Sequence, residues 1–182
     1  MPFLNKYHNG EGTSIMKIAG FYDESISNGE GWRAVLFVSG CPHHCPGCHN
    51  KEAQDFNYGE EFNKKDILNR IKENSILKGI TISGGEPLCK ENINEVRNFI
   101  EEVKAIRPNF NVWCYSGYTL DELLARNDED TNKCLEDIDI LVDGEFKIDK
   151  KDPTLKFRGS SNQRILDVKN SLKTHKFIEY KI

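Results

Sequence analysis

Short apolar segments alternate along this chain with stretches whose apolar residues have helical spacing. The segments that predict strands are residues 34–38, 79–83, 110–115, 139–143, 163–168 and, as a last short strand, 177–180. Helical spacing covers residues 64–76 and 93–106, and Thr119 with the acidic residues that follow it predicts the start of another helix. Because strands separated by helices form right-handed βαβ units, the alternation predicts an α/β fold with a mostly parallel sheet.

The number of these units limits the architecture further. They are too few to close an eight-stranded barrel, and their apolar strands fit a sheet that is covered on at least one face. We therefore expect an incomplete (partial) βα barrel with a curved, mostly parallel sheet, built as a single domain over residues 16–182. Residues 1–15 are polar and aperiodic, which predicts a flexible leader, and Met16 is a second candidate for the true start.

Composition excludes several classes of protein. A formal net charge of −4 provides no general basic surface, so no nucleic-acid partner is expected. No apolar run approaches the length of a membrane span, and the N-terminus lacks the apolar core of a secretion signal. We therefore expect a cytoplasmic protein with no membrane partner. Among the individual charged residues, Arg33 is interpreted as a surface charge.

Three of the six cysteines, Cys41, Cys45 and Cys48, crowd into eight positions shortly after the first predicted strand. Parallel α/β sheets place their ligand sites at such carboxyl ends of strands. Without a secretion signal, this clustering favours metal ligation in a reducing compartment over a disulfide scaffold. The other cysteines lie in core-like segments and are predicted to be small core residues: Cys89, Cys114 and Cys134.

Two kinds of metal centre fit three clustered thiolates. Structural zinc needs a fourth ligand, and His43, His44 or His49 would have to supply it from within the same tight turn. An iron–sulfur cluster held at three corners would instead leave one iron open to a substrate or cofactor. The spacing favours the cluster, with zinc as the alternative.

A second candidate site follows the second predicted strand, with the sequence Gly84-Gly85-Glu86-Pro87. Two glycines allow a ligand to approach the backbone closely, and Pro87 favours an extended conformation at Glu86. The carboxylate at this strand end is placed to receive an ammonium group. Taken alone, the same segment is typical of a solvated turn.

Together, the two motifs resemble those of radical S-adenosylmethionine enzymes. The resemblance implies that Cys41, Cys45 and Cys48 hold a [4Fe–4S] cluster whose open iron is chelated by the amine and carboxylate of S-adenosylmethionine. It also implies that the segment from Gly84 to Pro87 binds the amino group of that cofactor.

The resemblance carries expectations for three further positions. Many family members have an aromatic residue before the third cysteine, where this chain has Gly47. Adenine contact is then expected from the backbone of Gly47 and Cys48 and from the ring of His49, whose alternative is an exposed loop histidine. Asp143 ends the fourth predicted strand and would position the cofactor or bind a cation near its carboxylate. Its alternative is a turn residue beside Gly144.

Later segments narrow the resemblance. Residues 155–165 read Leu-Lys-Phe-Arg-Gly-Ser-Ser-Asn-Gln-Arg-Ile and, with residues 35–41, 48–50, 113–118 and 140–144, are similar to the activating proteins of anaerobic ribonucleoside-triphosphate reductase. This similarity implies that the chain generates a 5′-deoxyadenosyl radical and installs a glycyl radical in a glycine-bearing loop of that reductase. It implies no catalytic residue beyond the cluster and cofactor ligands. A one-electron donor such as flavodoxin or ferredoxin is implied as a second partner.

Alternatives to this function stay open at the level of sequence. A 7-carboxy-7-deazaguanine synthase-like radical enzyme shares a Gly-Glu-Gly segment upstream of its cysteines, but usually has Asp where this chain has His49. A pyruvate formate-lyase activase is a near relative that is typically longer. The alternative from a different class is a non-enzymatic iron–sulfur electron carrier or zinc-binding protein.

Overall fold

Seven strands form one open sheet in the computed structural model, which describes residues 16–182. The strands are β1 (Lys17–Ser25), β2 (Arg33–Val38), β3 (Glu60–Glu61), β4 (Gly79–Gly84), β5 (Asn111–Ser116), β6 (Ile140–Asp143) and β7 (Arg164–Asp167). Their spatial order is β3-β1-β2-β4-β5-β6-β7, so β3 and β7 form the two edges. The predicted leader, residues 1–15, lies outside the described part of the chain.

Within residues 16–182, five α-helices cover one face of this sheet. They are α1 (Lys64–Glu73), α2 (Ile93–Ile106), α3 (Leu120–Ala125), α4 (Glu129–Asp137) and α5 (Val168–Thr174). Their buried residues join alternate strand residues in one large apolar cluster, in which Phe99 of α2 lies with Ile82 of β4 and Cys114 of β5. A smaller cluster that contains Trp113 and Val142 lies on the opposite face, because successive strand residues point to opposite sides. None of the helices in residues 16–182 is long and apolar enough to cross a membrane.

The centre of the sheet has the predicted arrangement. Strands β2, β4, β5 and β6 pair in parallel, and each crossover between them contains at least one helix. This confirms the α/β fold and the four strands expected between residues 34 and 143. The capping box that Thr119 forms with Glu122 at the start of α3 is also present. All six cysteines are free thiols, and Cys89, Cys114 and Cys134 are buried as predicted.

The edges of the sheet differ from a simple βα repeat. β1 pairs antiparallel with β2, and β7, the strand predicted near residues 163–168, pairs antiparallel with β6. The short strand predicted at residues 177–180 is reduced to an isolated bridge between Leu166 and Glu179. Since the connection from β6 to β7 contains no α-helix, the βαβ rule does not apply to this last pair.

Four short or irregular elements were not predicted from the sequence, namely β1, β3, α4 and α5. Two register shifts interrupt β1, so its apolar residues do not keep a period of two. β3 has only two residues, α5 has seven, and α4 is mostly polar with few buried positions. Helix α1 also ends at Glu73, three residues before the predicted Ile76, whose side chain is exposed.

Arg33 was predicted to be a surface charge, and this prediction is wrong, because the residue is fully buried. Its guanidinium donates to Thr81 Oγ1 at 2.8 Å, to Asn111 Oδ1 at 2.6 Å and to the Ile80 carbonyl at 2.5 Å. Burial lowers the pKa of Arg33 to about 10, so the group stays charged at neutral pH. These partners compensate the loss of water and tie β2 to β4 and β5 at the end of the sheet opposite the cysteines.

We expect Phe99→Ala to lower the free energy of unfolding by about 3–5 kcal/mol, because Phe99 is fully buried and its ring meets that of Phe62 edge to face. Urea unfolding followed by circular dichroism measures the change. The control is Ile76→Ala, an exposed apolar residue that should change stability by about 0.5 kcal/mol or less. Equal losses in the two variants would contradict this account of the core.

Candidate functional site

The three clustered cysteines lie in a loop, residues 39–50, that follows β2 and is called the cysteine loop below. Backbone hydrogen bonds fix its first half, from the Gly40 amide to the Ala53 carbonyl at 2.8 Å and from the Cys41 amide to the Gln54 carbonyl at 3.1 Å. The side chain of Asn92, at the start of α2, donates to the Ser39 carbonyl at 2.9 Å. The loop is therefore held at its root against the carboxyl ends of β2 and β4.

A cavity of about 520 Å³ opens beside this loop, at the carboxyl ends of the parallel strands and on the face away from the helices. Cys41, Cys45 and Cys48 all line it, as do His49 and residues 83–86. The opposite wall comes from residues 144–163, the connection between β6 and β7. This volume is within the usual range for sites that bind small molecules. The structure thus brings the two sequence motifs to one cavity, as the strand-end rule predicted.

The turn after β4 packs directly on the cysteine loop. Gly84 has a φ of +102°, and a Cβ at this position would collide with the backbone of Val38. The Gly85 amide donates to the Val38 carbonyl and the Glu86 amide to the Gly40 carbonyl, both at 2.7 Å. Glycine is required here because no side chain fits between the two segments.

The carboxylate of Glu86 is buried at the centre of the site. Its Oε1 accepts hydrogen bonds from the Leu88 amide at 2.9 Å and the Ser116 hydroxyl at 2.8 Å. Its Oε2 accepts from the Gly117 amide at 2.7 Å and lies 2.9 Å from His43 Nε2. Four partners use the lone pairs of both oxygens, so this carboxylate joins three strand ends within the protein.

The ring of His43 is held between two carboxylates. Its Nε2 contacts Glu86, and its Nδ1 lies 3.0 Å from Glu145 Oε1, at the start of the opposite wall of the cavity. The hydrogen bond to Glu86 raises the pKa of His43, and the contact with Glu145 adds to this effect against the opposing effect of burial. The protonated ring donates to both carboxylates, since an imidazolium has two N–H groups.

The thiols supply soft donors that suit iron or zinc. Burial raises the pKa of Cys41 to about 11 and also raises the pKa of Cys45, so both remain protonated at neutral pH without a metal cation beside them. A cationic centre would favour the thiolate forms that ligation requires. Within residues 16–182, no three Cys, His, Asp or Glu side chains are gathered closely enough to enclose a single metal ion. All three free thiols line one cavity, so their sulfur atoms fit a metal centre bound in that cavity.

Three of the residues predicted from sequence do not line this cavity. Gly47 has a φ of +73° and lies against Ile148, and Pro87 is buried behind the turn. The carboxylate of Asp143 is fully buried, accepts from the Leu120 amide at 2.8 Å and pairs with Arg164, whose pKa it raises. His49 does line the cavity, and its ring lies 5.3 Å from that of Phe146.

Several residues that shape the site were missed by sequence reasoning. Ser116 ends β5 and Gly117 follows it, at the same end of the sheet as the two motifs, and the strand-end rule would have identified them. Gln163 was predicted as the first residue of the strand at 163–168, but its Oε1 accepts from the Gly159 amide at 2.9 Å and its Nε2 donates to the Gly144 carbonyl at 3.0 Å. Its position in the cavity wall depends on the fold of residues 144–163 and leaves no local pattern in the sequence.

Comparison with known proteins finds one matching family model and several relatives that share a single description. Residues 27–166 match the family described as a 4Fe-4S single cluster domain. The chain is 42% identical over 147 residues to an anaerobic ribonucleoside-triphosphate reductase-activating protein from Escherichia coli K12, covering 79% of this chain and 93% of the relative. A protein with the same description from Pasteurella multocida is 43% identical over 154 residues, covering 82% and 96%. One from enterobacteria phage T4 is 35% identical over 151 residues, covering 79% and 89%.

We expect Asp143→Asn to lower the free energy of unfolding by about 3 kcal/mol, because it breaks a buried ion pair with Arg164. The matched control is Asp121→Asn, which removes an exposed carboxylate 3.0 Å from the same guanidinium and should cost less than about 1 kcal/mol. Urea unfolding of both variants measures the difference. Unchanged stability of Asp143→Asn with lost binding of S-adenosylmethionine would instead make Asp143 a cofactor ligand.

Proposed function

The chain belongs to the family of anaerobic ribonucleoside-triphosphate reductase-activating proteins, and we propose that it installs a glycyl radical on a partner reductase of that kind. The observation that carries the proposal is the meeting of three free thiols and the Gly84–Glu86 turn around one cavity. Similarity over about four fifths of the chain favours this function over a 7-carboxy-7-deazaguanine synthase-like activity or a role as an electron carrier.

The residues proposed to hold the [4Fe–4S] cluster are Cys41, Cys45 and Cys48. Their thiols line the same cavity, and the family match to a 4Fe-4S single cluster domain covers this part of the chain. Three ligands leave one iron open, which is the position proposed for S-adenosylmethionine. When bound, the cluster and this cofactor supply the one-electron cleavage that produces a 5′-deoxyadenosyl radical.

The backbone of Gly84 and Gly85 is the proposed contact for the amino group of the cofactor. Both glycines line the cavity, whereas the Glu86 carboxylate already has four partners inside the protein. A fifth donor would have to displace one of them. Glu86 is therefore proposed to shape the turn rather than to receive the ammonium group directly. His49 and the backbone of Cys48 remain the proposed contacts for the adenine.

The remaining proposals concern the fold type, the partners and the compartment. Four parallel strands with ligand loops at their carboxyl ends support the incomplete barrel of the radical S-adenosylmethionine type. The cavity opens at one end of an unclosed sheet, which leaves room for a glycine-bearing loop of the reductase. A one-electron donor such as flavodoxin or ferredoxin is proposed to reduce the cluster in the cytoplasm.

The decisive measurement is electron paramagnetic resonance of the reconstituted, reduced protein mixed anaerobically with S-adenosylmethionine and the reductase from the same source. We expect a glycyl-radical doublet that requires both additions. Cleavage of S-adenosylmethionine without this doublet would retain the radical chemistry but reject the proposed partner. Absence of any cluster signal would return the three cysteines to zinc.

We expect Cys45→Ala to reduce cleavage of S-adenosylmethionine to the background level, because one of three cluster ligands is lost. Cys134→Ala is the matched control, since Cys134 is a buried core thiol in α4. Cys134→Ala also removes one cysteine sulfur, but this variant should retain iron and the cleavage of S-adenosylmethionine. Iron content and methionine release are measured on both reconstituted variants. Retained activity in Cys45→Ala would overturn the ligand assignment.

A further inference from the structure

We propose that His43 is a positioning residue that locks the middle of the cysteine loop onto the ends of β4, β5 and β6. Backbone hydrogen bonds hold the root of this loop, but Cys45 and Cys48 lie beyond them. The consequence for cluster ligation rests on the proposed function, whereas the locking itself is a property of the folded chain.

The contacts of His43 reach three different strand ends. Its ring nitrogens meet Glu86, which follows β4, and Glu145, which follows β6. Gly117, which follows β5, lies so close that a Cβ there would collide with the His43 ring. A single side chain between Cys41 and Cys45 thus contacts the segments that follow β4, β5 and β6.

The surroundings of His43 are built to hold an aromatic ring. Tyr118 meets it edge to face, with the ring centroids 4.4 Å apart. The guanidinium of Arg126 lies 4.2 Å above the Tyr118 ring and donates to the Leu88 carbonyl at 2.6 Å. The His43 side chain is 9% exposed although its neighbours Pro42 and His44 are exposed. This stack holds the ring in one orientation through contacts within the protein.

The other two histidines of the loop do not share these features. His44 is exposed and has a φ of +50°, and His49 lies beside Phe146 at the cavity rim. Glu86 keeps three further donors without His43, so its turn should stay in place when His43 is replaced. Removal of the imidazole should therefore release the cysteine loop selectively.

The test compares His43→Phe, which keeps an aromatic ring but removes both polar contacts, with His43→Gln, which can still donate to Glu86. His44→Asn is the matched control, because asparagine tolerates the left-handed backbone at that position. The full-length chain is first studied without metal, under reducing conditions, and maleimide labelling of Cys45 is followed by mass spectrometry. This readout does not depend on any bound group.

We expect labelling of Cys45 to be about tenfold faster in His43→Phe than in the unmodified chain, as loss of a charge-assisted hydrogen bond predicts. His43→Gln should restore the rate to within about threefold, and His44→Asn should leave it within about twofold. The urea midpoint of His43→Phe should stay close to that of the unmodified chain, since the loosening is local. Equal labelling rates in His43→Phe and His44→Asn would overturn the proposal.

The reconstituted proteins separate this inference from the proposed function. Iron loss to a chelator should be about tenfold faster from His43→Phe, and S-adenosylmethionine should perturb its cluster resonance less than that of the unmodified protein. Unchanged iron loss and an unchanged resonance would overturn the role in positioning the ligands. If the unmodified chain bound no cluster, the proposed function would fail, while the labelling result would still decide whether His43 locks the loop.

Discussion

The buried carboxylate of Glu86 is the constraint on which the geometry of the site depends. Burying a charge without partners is costly, and Glu86 avoids that cost with four hydrogen bonds from three different segments. Those segments are the cysteine loop, the turn after β4 and the end of β5. Because all four donors converge on one buried carboxylate, they tie these three segments together at a single point.

Asp143 repeats this arrangement at the end of β6, two strands away from β4 in the sheet. Its carboxylate takes the amide of Leu120 at the start of α3 and the guanidinium of Arg164 on β7. Two acidic residues at strand ends thus connect secondary structure elements, and Glu86 does so while it also lines the cavity beside the thiols and the glycine backbone. Both carboxylates therefore contribute to the rigidity of the site.

The sequence located the site better than it assigned roles within it. Buried parallel strands have continuous apolar sequences that can be recognised. The cysteines and the Gly84–Pro87 turn were therefore placed correctly at the carboxyl ends of two such strands. The inward direction of Glu86, the burial of Arg33 and the bridging by His43 depend on hydrogen-bond partners that lie 30 to about 100 residues away. No local pattern records such partners. Strand β1 was not predicted for a related reason. Two register shifts interrupt its apolar pattern, and its pairing with β2 stabilises the strand although its sequence does not alternate regularly.

The antiparallel direction of β7 explains how the cavity acquires its last wall. Asp143 at the end of β6 pairs with Arg164 at the start of β7. Residues 144–163 therefore leave the sheet and return to it at the carboxyl ends of the parallel strands. A parallel β7 would have required a crossover on the helical face, as in the three preceding units. The segment instead crosses the site, where Gln163 bonds the Gly159 and Ser160 amides and the Gly144 carbonyl in place of helical hydrogen bonds. One reversal of strand direction therefore gives the open end of a repeating α/β sheet a cavity with the cysteines on one side and residues 144–163 on the other.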